Sequence, residues 1–247
     1  MENFTYILGA SSEIAKELIK VEINKGKSLC LFTRNKTVLV AYLERLEGYS
    51  KDKIKIFEYN LLATQETFEL LFSLKDKFYP NKFYVMVGYL GSKIEDNSKD
   101  EVEKIYEVNY NSLSRLFDLL LDRGYLSEIK TIFFSSSVGA ELFYKRYFHY
   151  YESKRLLNKY LNNLKASLSY EQANVVSLMI GPVYDTRMGP SAGFFRLFAS
   201  SKKSIAEKIG AERSYRGTVY VPAFWSLFVL FYRIFPSFIK DYLKKII

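Results

Sequence analysis

The stretch LGASSEIAK, residues 8–16, follows an apolar run from Phe4 to Leu8 and begins a helix-like pattern of apolar residues. This order predicts the first strand-to-helix turn of an α/β chain. Nucleotide-binding turns in this place usually carry glycines, because the backbone must turn tightly and approach a phosphate closely. The three positions concerned here hold Gly9, Glu13 and Ala15. Since two of the three are not glycine, the turn alone does not establish nucleotide binding.

Apolar runs rich in β-forming residues alternate with longer segments in which apolar residues recur at spacings of three and four. Short buried strands separated by helices predict a parallel sheet covered on both faces. Right-handed crossovers then give a doubly wound, Rossmann-type α/β fold, whose ligands bind beyond the carboxyl ends of the strands. The predicted strands are 4–9, 28–33, 54–57, 83–88, 131–135, 174–180 and 217–222.

The chain has 247 residues, of which 49% are hydrophobic, and this suits one domain with one core. We predict a Rossmann-type domain over residues 1–222 and a C-terminal helical extension of that domain over residues 223–247. The single cysteine, Cys30, lies in an apolar run and cannot form an internal disulfide. The start of the sequence lacks a signal-peptide pattern, so we expect a cytoplasmic protein.

The net charge is +9, and much of it lies near the C-terminus, since residues 202–247 contain nine Lys or Arg and three Asp or Glu. A basic excess suits nucleic acid, anionic lipid or plain solubility. The abundant aromatic residues fall in strand-like and helix-like apolar patterns rather than between clustered basic residues. No nucleic-acid-binding motif accompanies the charge, so we expect no nucleic-acid partner, and we expect no metal site.

The sequence YYESKR, residues 150–155, carries the clearest chemical signal. Tyr150 and Lys154 are four residues apart, which puts both on one face of a helix. A phenol with an ordinary pKa near 10 is a poor acid–base catalyst at neutral pH, and a nearby ammonium group lowers that pKa. FSSSVG, residues 134–139, ends the fifth strand with hydroxyl groups that could hold a substrate carbonyl while Tyr150 delivers a proton to its oxygen.

The order of these features is more specific than any one of them. A glycine turn follows the first strand, Asn109 stands in VNYNS, Ser-Ser-Ser-x-Gly follows the fifth strand, and Tyr-x-x-x-Lys comes next. In this order the chain resembles the short-chain dehydrogenase/reductase family over nearly its whole length. The resemblance implies a catalytic tetrad in which Asn109 holds a proton-relay water, and its members are Asn109, Ser136, Tyr150 and Lys154. Because the segment from Gly139 to Tyr150 is one residue longer than usual, Ser137 is an alternative to Ser136.

The resemblance also implies which residues hold an NAD(P) cofactor. GPVYDT, residues 181–186, resembles the family's Pro-Gly…Thr element with its first two residues exchanged, so Thr186 is expected to bond the nicotinamide carboxamide. GYLG, residues 88–91, takes the place of the family's Asn-Ala-Gly element and is expected beside the adenine ribose. The predicted cofactor-binding residues are Gly9, Ser11, Ser12, Glu13, Ile14, Arg34, Asn60, Gly88, Tyr150, Lys154, Pro182, Val183 and Thr186.

Glu13 is the main departure from the glycine pattern, because an acid repels a pyrophosphate. If its carboxylate faces outward, the backbone N–H groups of residues 11–14 can still bind the pyrophosphate at the start of the helix. An acid in the first helical turn also suits the helix dipole. Ala15 replaces a glycine that favours close helix–strand packing, and a methyl group is the smallest addition. We therefore predict that the cofactor fits.

The end of the second strand bears on the identity of the cofactor. NAD-specific sites place an acid there to bond the ribose 2′-hydroxyl. This chain has TRNK, residues 33–36, and no acid until Glu44. Arg34, with Lys36 nearby, could pair with a 2′-phosphate, so NADP(H) is favoured over NAD(H). The alternative is that Arg34 only solvates the start of a helix.

The segment from 223 to 247 is unusually apolar and ends in basic residues. Pro222 and Pro236 bound a run of about 13 residues, which is too short to span a bilayer of ~30 Å. One interpretation is an interfacial membrane anchor, and the other is a helix buried against the core or in an oligomer interface. The basic residues favour membrane contact, and they are Arg233, Lys240, Lys244 and Lys245.

The turn LGASSEI and the tail that begins VYVPAFW resemble the decaprenylphosphoryl ketopentose 2-reductase branch of the family. That resemblance implies an NADP(H)-dependent oxidoreductase of a keto-sugar, carried on polyprenyl phosphate or a nucleotide, in cell-envelope polysaccharide synthesis at the inner face of the cytoplasmic membrane. The resemblance to the short-chain dehydrogenase/reductase family implies a homo-oligomer, a dimer or tetramer formed through the helices that follow strands four and five. The alternative function is a non-catalytic, NAD(P)-sensing member of the same fold, for which Glu13 is the main argument.

Overall fold

The computed structural model describes residues 2–142, 145–168, 173–189, 194–211, 214–236, 238 and 240. In these ranges seven strands form one parallel sheet, and helices lie on both of its faces. The strands are β1 (Phe4–Leu8), β2 (Ser28–Thr33), β3 (Ile54–Glu58), β4 (Pro80–Val85), β5 (Thr131–Ser137), β6 (Asn174–Ile180) and β7 (Gly217–Val221). Their order across the sheet is β3-β2-β1-β4-β5-β6-β7, so the predicted doubly wound α/β fold is confirmed.

The helices alternate with the strands along the chain. A π-helical turn at Glu107–Asn111 joins the fourth and fifth helices, and short 3₁₀ turns lie at Ile94–Asp96, Tyr125–Glu128 and Val138–Ala140. The helices are α1 (Glu13–Asn24), α2 (Lys36–Leu43), α3 (Thr64–Leu74), α4 (Lys99–Tyr106), α5 (Ser112–Asp122), α6 (Phe148–Ser167), α7 (Phe194–Leu197), α8 (Lys202–Gly210) and α9 (Phe224–Ile234).

The central strands separate two apolar layers. Every residue of β1 is buried, because Tyr6 and Leu8 face the layer of α3, α5 and α6, whereas Ile7 faces the layer of α1, α2 and α8. A strand that is covered on both faces needs apolar residues at successive positions rather than in alternation. This requirement explains why the strand runs of the sequence are continuous and easy to recognise.

The predicted fourth strand, 83–88, is displaced, because the strand occupies Pro80–Val85. Its first half contains the polar residues Asn81 and Lys82, which hide it from a search for apolar runs. Beyond Val85 the chain leaves the sheet, and Val87 O accepts hydrogen bonds from side chains of β5 and α6. Five of the other predicted strands end within one residue of the observed strand, whereas β5 runs two residues further than predicted.

The C-terminal helix α9 has two different faces. Trp225, Val229 and Tyr232 are buried against residues of the β5 and β6 ends. The opposite side, called here the outer face of α9, consists of exposed Phe224, Leu227, Leu230, Phe231 and Ile234. The two interpretations of the tail thus each fit one side of the helix. Within the described residues, no helix has both the length and the apolar character needed to cross a membrane.

Candidate active site

The turn between β1 and α1 is closed by backbone hydrogen bonds to β2. The N–H groups of Gly9 and Ala10 both donate to Phe32 O, at 3.1 and 3.0 Å. Gly9 has a φ of 81°, and a Cβ atom there would lie 2.8 Å from Met86 O. A side chain at this position would therefore be strained by its φ and by its contact with the residue after β4. The geometry of this chain requires the one glycine that the turn retains.

The start of α1 presents backbone donors beside this turn. Ser12 caps the helix, since its Oγ accepts the N–H of Ala15 at 3.2 Å, and the N–H of Ser12 itself donates to Gly9 O at 3.0 Å. Of the donors predicted over residues 11–14, the N–H of Ser12 is thus already bonded within the turn. Among the described residues, no acceptor bonds the N–H groups of Ser11, Glu13 and Ile14. Unbonded donors at a helix start are typical of an anion-binding site.

Glu13 directs its carboxylate across the site rather than toward its own helix. Its Oε2 accepts the backbone N–H of Arg187 at 2.9 Å, and Nε of Arg187 lies 3.8 Å from the same oxygen. Arg187 belongs to the chain that follows β6. The carboxylate consequently leaves the backbone donors at the start of α1 free to meet an anion.

The end of β2 lies next to the same turn. The hydroxyl groups of Ser11 and Thr33 are 2.5 Å apart and share a hydrogen bond. Asn35 caps α2, because its Oδ1 accepts the N–H of Val38 at 3.0 Å. Arg34 is exposed and forms no ion pair with any described residue. Its guanidinium group is therefore available to a negatively charged ligand.

Asn60 follows β3 and stabilises the next turn of the chain. Its Oδ1 accepts the N–H of Leu62 at 3.2 Å, and its carbonyl accepts the hydroxyl of Thr67 at 2.8 Å. The side chain is exposed near the carboxyl end of the strand. This position is compatible with the predicted cofactor contact.

Lys154 is the most deeply buried charged group of the site. Its side chain is 1% exposed, and Nζ donates to Val87 O and to Ser135 O, each at 3.0 Å. Burial lowers the pKa of Lys154 to about 7. An ammonium group has three donors, so one remains after the two carbonyl contacts. Lys154 thereby ties α6 to the ends of β4 and β5.

Asn109 lies in the π-helical turn and is fully buried. Its Oδ1 accepts the N–H of Tyr89 at 2.8 Å, while Nδ2 donates to Tyr89 O at 2.9 Å and to Ser153 Oγ at 3.0 Å. A Cβ atom on Gly88 would lie 3.7 Å from Lys154 Nζ and 3.9 Å from Asn109 Oδ1. The asparagine, the lysine and the chain after β4 therefore converge.

Ser136 and Ser137 differ in their surroundings. Ser136 is 4% exposed, and its Oγ has no hydrogen-bond partner within the described chain. It follows Ile132 and Phe134 on the sheet face that α6 covers, since side chains alternate along a strand. Ser137 Oγ instead accepts the N–H of Gly139 at 3.1 Å and caps a 3₁₀ turn. Only Ser136 has an unused buried hydroxyl, which favours it over its rival.

Tyr150 stands one helical turn before Lys154 on α6. Its ring and that of Tyr151 form an edge-to-face pair with centroids 5.2 Å apart. Burial, and to a lesser degree Tyr151, raise the pKa of Tyr150 above its ordinary value. Burial therefore dominates the pKa of Tyr150 in this structure, and a lowering of that pKa by Lys154 stays a prediction for the enzyme with its cofactor bound. Tyr151 packs against Gly139, where any Cβ atom would overlap its ring.

The chain after β6, residues 181–189, is called here the post-β6 segment. Val183 is buried and pairs with Ser200, whose N–H donates to Pro182 O at 3.0 Å. The Thr186 hydroxyl donates to Val183 O at 3.1 Å. Thr186 was predicted to bond a nicotinamide carboxamide, and its donor is committed within this turn. Its oxygen can still accept a hydrogen bond.

Two residues of the site were not predicted from the sequence. Ser153 links Asn109 to α6, because its Oγ accepts from the amide and donates to Tyr150 O at 2.7 Å. The position of Ser153 between Tyr150 and Lys154 in the sequence could have indicated that it belongs to the site. Arg187 carried no signal, since its contact with Glu13 joins positions 174 residues apart.

These residues bring together the chemistry that an NAD(P) cofactor needs. Unbonded N–H groups at the start of α1 suit a pyrophosphate, and Arg34 suits an additional phosphate on the ribose. The third donor of Lys154 and the free hydroxyl of Ser136 lie near the carboxyl ends of β4 and β5. The residues present therefore fit the group that the sequence predicts.

A model of the short chain dehydrogenase family matches residues 3–193. The chain belongs to this family. Its members are NAD(P)-dependent oxidoreductases, which agrees with the predicted enzyme class. The match includes the β1–α1 turn, Asn109, Ser136, Tyr150 and Lys154.

This short-chain dehydrogenase is similar to a known protein in sequence and to solved structures in fold. A probable short-chain type dehydrogenase/reductase of Helicobacter pylori, VdlC, is 26% identical over 183 residues, which are 72% of this chain. The chain spans 64% of the length of that relative. A short-chain dehydrogenase of Burkholderia cenocepacia, solved in complex with NADP, has a TM-score of 0.78 and 15% identity, covering 98% of this chain and 97% of that one. A short-chain dehydrogenase/reductase of Vibrio parahaemolyticus has a TM-score of 0.72 and 18% identity, covering 87% and 98% respectively.

In the part of the chain that the structure describes, no three or more His, Cys, Asp or Glu side chains are grouped so that they could hold a metal ion.

Proposed function

We propose that the chain is an NADP(H)-dependent reductase of a keto-sugar, carried on polyprenyl phosphate or a nucleotide, in cell-envelope polysaccharide synthesis. The observation that carries the reductase assignment is the buried, unpartnered Ser136 hydroxyl on the sheet face covered by α6, which bears Tyr150 and Lys154. A buried hydroxyl without a partner costs stability, so its retention points to a ligand.

The four site residues have separate roles in carbonyl reduction. Ser136 donates its hydroxyl hydrogen to the substrate carbonyl oxygen and holds the carbonyl in place. A bound nicotinamide supplies the hydride that reduces the carbonyl carbon. Tyr150 delivers the proton to the oxygen, and its raised pKa keeps that proton on the phenol until negative charge develops on the substrate.

Lys154 and Asn109 support the proton donor. The Lys154 ammonium stabilises the phenolate that Tyr150 leaves behind, and its third N–H would be available to hold a ribose hydroxyl of the cofactor. Asn109 is a positioning residue in the described geometry, because its amide bonds the chain after β4 and Ser153 of α6 at once. A phenol, an ammonium group and an amide on rigid elements give the fixed geometry that proton transfer needs.

The preference for NADP(H) rests on Arg34. Arg34 is exposed and follows Thr33, which bonds Ser11 of the β1–α1 turn, and the described residues leave its guanidinium without an ion-pair partner. A cation at the end of β2 binds a 2′-phosphate and gains nothing from a 2′-hydroxyl. We therefore expect NADPH to bind more tightly than NADH.

The lipid-linked form of the substrate rests on the apolar surface near the site. Tyr184 and Met188 of the post-β6 segment are exposed, as are Leu197 and Phe198. The rings of Phe198 and Phe224 have centroids 6.2 Å apart, so this surface continues onto the outer face of α9. Exposed apolar area of this kind suits the inner face of a cytoplasmic membrane, where a polyprenyl carrier is held.

Electrostatic attraction adds less to membrane binding than the sequence suggests. Arg233 forms an ion pair with Glu141 at 2.7 Å, so its charge is offset. Lys240 donates to Arg233 O at 2.9 Å, and Lys244 and Lys245 lie outside the described residues. The proposed membrane contact therefore relies mainly on apolar burial.

The experiment that tests the proposed function is an NADPH-oxidation screen. Keto-sugars are offered free, on a nucleotide and on a polyprenyl phosphate, with NADPH and with NADH in parallel. We expect turnover of the carrier-linked sugar with NADPH, and a weaker reaction with NADH. Cofactor binding without turnover of any carbonyl compound would instead support the sensing alternative. Sedimentation analysis of the same sample tests the expected homo-oligomer.

A further inference from the structure

Glu13 and Arg187 connect two parts of the cofactor site that are far apart in sequence. Glu13 is the first residue of α1, where the proposed pyrophosphate site lies. Its Oε2 accepts the backbone N–H of Arg187 at 2.9 Å and lies 3.8 Å from the Nε of that residue. The carboxylate thus holds both the backbone and the charge of Arg187.

The post-β6 segment is attached to the rest of the fold at three places, the first of which is the hydrogen bond from Gly181 N–H to Val221 O of β7 at 2.9 Å. Its first half is attached to the start of α8, because Tyr184 N–H donates to Ser200 O at 3.1 Å and Asp185 Oδ1 accepts the N–H of Lys202 at 2.7 Å. Its second half, from Thr186 to Gly189, forms hydrogen bonds within its own turn. Among the hydrogen bonds of the described residues, the one to Glu13 is what ties this half to α1.

The charge of Arg187 is only partly used by this contact. Its side chain is 89% exposed, and the guanidinium meets Glu13 only through Nε, at 3.8 Å. A guanidinium group has five N–H donors in a planar fork, so several remain for a second anion. The N–H groups of Ser11, Glu13 and Ile14, which lack acceptors in the described chain, lie at the start of α1, where the Glu13 side chain also begins.

An isolated acid in this place would weaken the binding of a pyrophosphate by repulsion. An acid that holds an arginine beside the phosphates has the opposite effect, because the arginine offsets its charge and adds donors. We propose that Glu13 is a positioning residue, which keeps Arg187 beside the phosphates of the bound dinucleotide and so strengthens its binding. This inference rests on the proposed use of an NAD(P) cofactor.

The test compares NADPH dissociation constants, measured by the fluorescence of NADPH in the absence of any carbonyl substrate. Glu13→Ala and Arg187→Ala should each weaken binding by about tenfold, the value of one charge-assisted contact. Glu13→Gln should weaken it less, because its side-chain oxygen can still accept the Arg187 N–H. The double variant Glu13→Ala/Arg187→Ala should bind no more weakly than Arg187→Ala alone, since both changes remove one contact.

Glu17→Gln provides the matched control, because Glu17 lies on the same helix and pairs with Lys20 rather than with the post-β6 segment. It should leave NADPH binding unchanged. Thermal unfolding of every variant checks that the fold is retained. If Glu13→Gln or Glu13→Ala binds NADPH as tightly as the unchanged chain or more tightly, the inference is wrong.

A second measurement follows the segment itself. Trypsin cleaves after arginine, so the rate of cleavage between Arg187 and Met188 reports how firmly the turn is held. We expect NADPH to slow this cleavage in the unchanged chain and to slow it much less in Glu13→Ala. Equal protection in both would contradict the inference. An unchanged chain that binds no dinucleotide at all would instead overturn the proposed function, and the inference with it.

Discussion

The buried end of β5 and the outer face of α9 both depart from the usual distribution of residues in a folded protein, in opposite directions. At β5 the Ser136 hydroxyl is 4% exposed and lacks a partner among the described residues, and Lys154 is buried with its pKa lowered to about 7. On α9, by contrast, Leu227 and Leu230 are 55% and 56% exposed. One region buries polar groups and the other exposes apolar ones.

Both departures reduce the stability of the isolated chain, and their different forms indicate different partners. Polar groups that are fixed on a strand and a helix, out of water, suit a small molecule whose reacting atoms they can meet. Apolar side chains along one side of a helix suit a broad apolar surface. We therefore propose that the first region carries out the reaction and that the second region attaches the protein to a membrane surface.

The largest effect is expected for Lys154→Met. Loss of the ammonium group removes the charge that stabilises the Tyr150 phenolate, so kcat/KM for carbonyl reduction with NADPH should fall by about 10³-fold. Lys165→Met is the control, since Lys165 is half-buried on the same helix but contacts Ser177 instead of the site. A folded Lys154→Met enzyme with nearly full activity would remove the lysine from the proposed mechanism.

The next effect separates the two neighbouring serines. Ser136→Ala should lower kcat/KM by about 10²-fold, because it removes a donor to the developing oxyanion. Ser137→Ala removes a cap to Gly139 N–H and should change activity by less than about threefold. The two variants can be compared in one steady-state assay. The opposite order of effects would move the catalytic role to Ser137.

A smaller effect is expected on the outer face of α9. Leu227→Asn/Leu230→Asn should reduce co-sedimentation with anionic liposomes by about tenfold, because two exposed leucines no longer enter the interface. A chain ending at Val221 is unsuitable for this test, since it would uncover the core residues that Trp225 and Val229 cover.

The control for the liposome test is Val38→Asn, which alters an exposed apolar residue on α2. It should not change co-sedimentation. Equal loss in both variants, or unchanged binding of the α9 variant, would argue against a membrane surface on α9. Dissociation of an oligomer by the α9 variant alone would identify this face as a subunit interface.

The smallest effect concerns the pH dependence of stability. Lys154 has a lower pKa in the folded chain, about 7, than the ordinary lysine value of about 10.4. Between these values the unfolded chain binds a proton that the folded chain does not, so the free energy of unfolding rises with pH by at most about 1.4 kcal/mol per unit. Below pH 7 this contribution is constant. Denaturant titrations of the unchanged chain and Lys154→Met between pH 6 and about 9 should diverge in this way, and parallel curves would contradict the lowered pKa.

The fold could be predicted because β1 and β2 are buried on both faces and therefore consist of continuous apolar runs. β4 was displaced by three residues because its first half contains Asn81 and Lys82, and its end is fixed by a tertiary bond from Lys154 to Val87 O. A local sequence pattern cannot reveal this hydrogen bond, because its partners are 67 positions apart in the chain. Strand ends at the site were thus the least predictable part of the sheet.

In the candidate site too, features that depend on local sequence could be predicted, and features that depend on tertiary packing could not. Tyr150 and Lys154 could be identified as candidates because their spacing of four residues is local and chemically specific, whereas Asn109 was identified only through the family resemblance. The raised pKa of Tyr150 depends on burial by elements distant in sequence, and the pairing of Glu13 with Arg187 depends on the turn after β6. Neither feature could be predicted from the sequence, because both arise from tertiary packing.

The central claim is that Tyr150 donates the proton in carbonyl reduction. The most direct measurement compares Tyr150→Phe with Tyr151→Phe in NADPH oxidation by the carbonyl substrate that the screen identifies, with NADPH binding measured separately. We predict that Tyr150→Phe lowers kcat/KM by at least about 10³-fold and leaves the NADPH dissociation constant within about threefold, whereas Tyr151→Phe retains most of the activity. Substantial turnover by Tyr150→Phe would contradict the account.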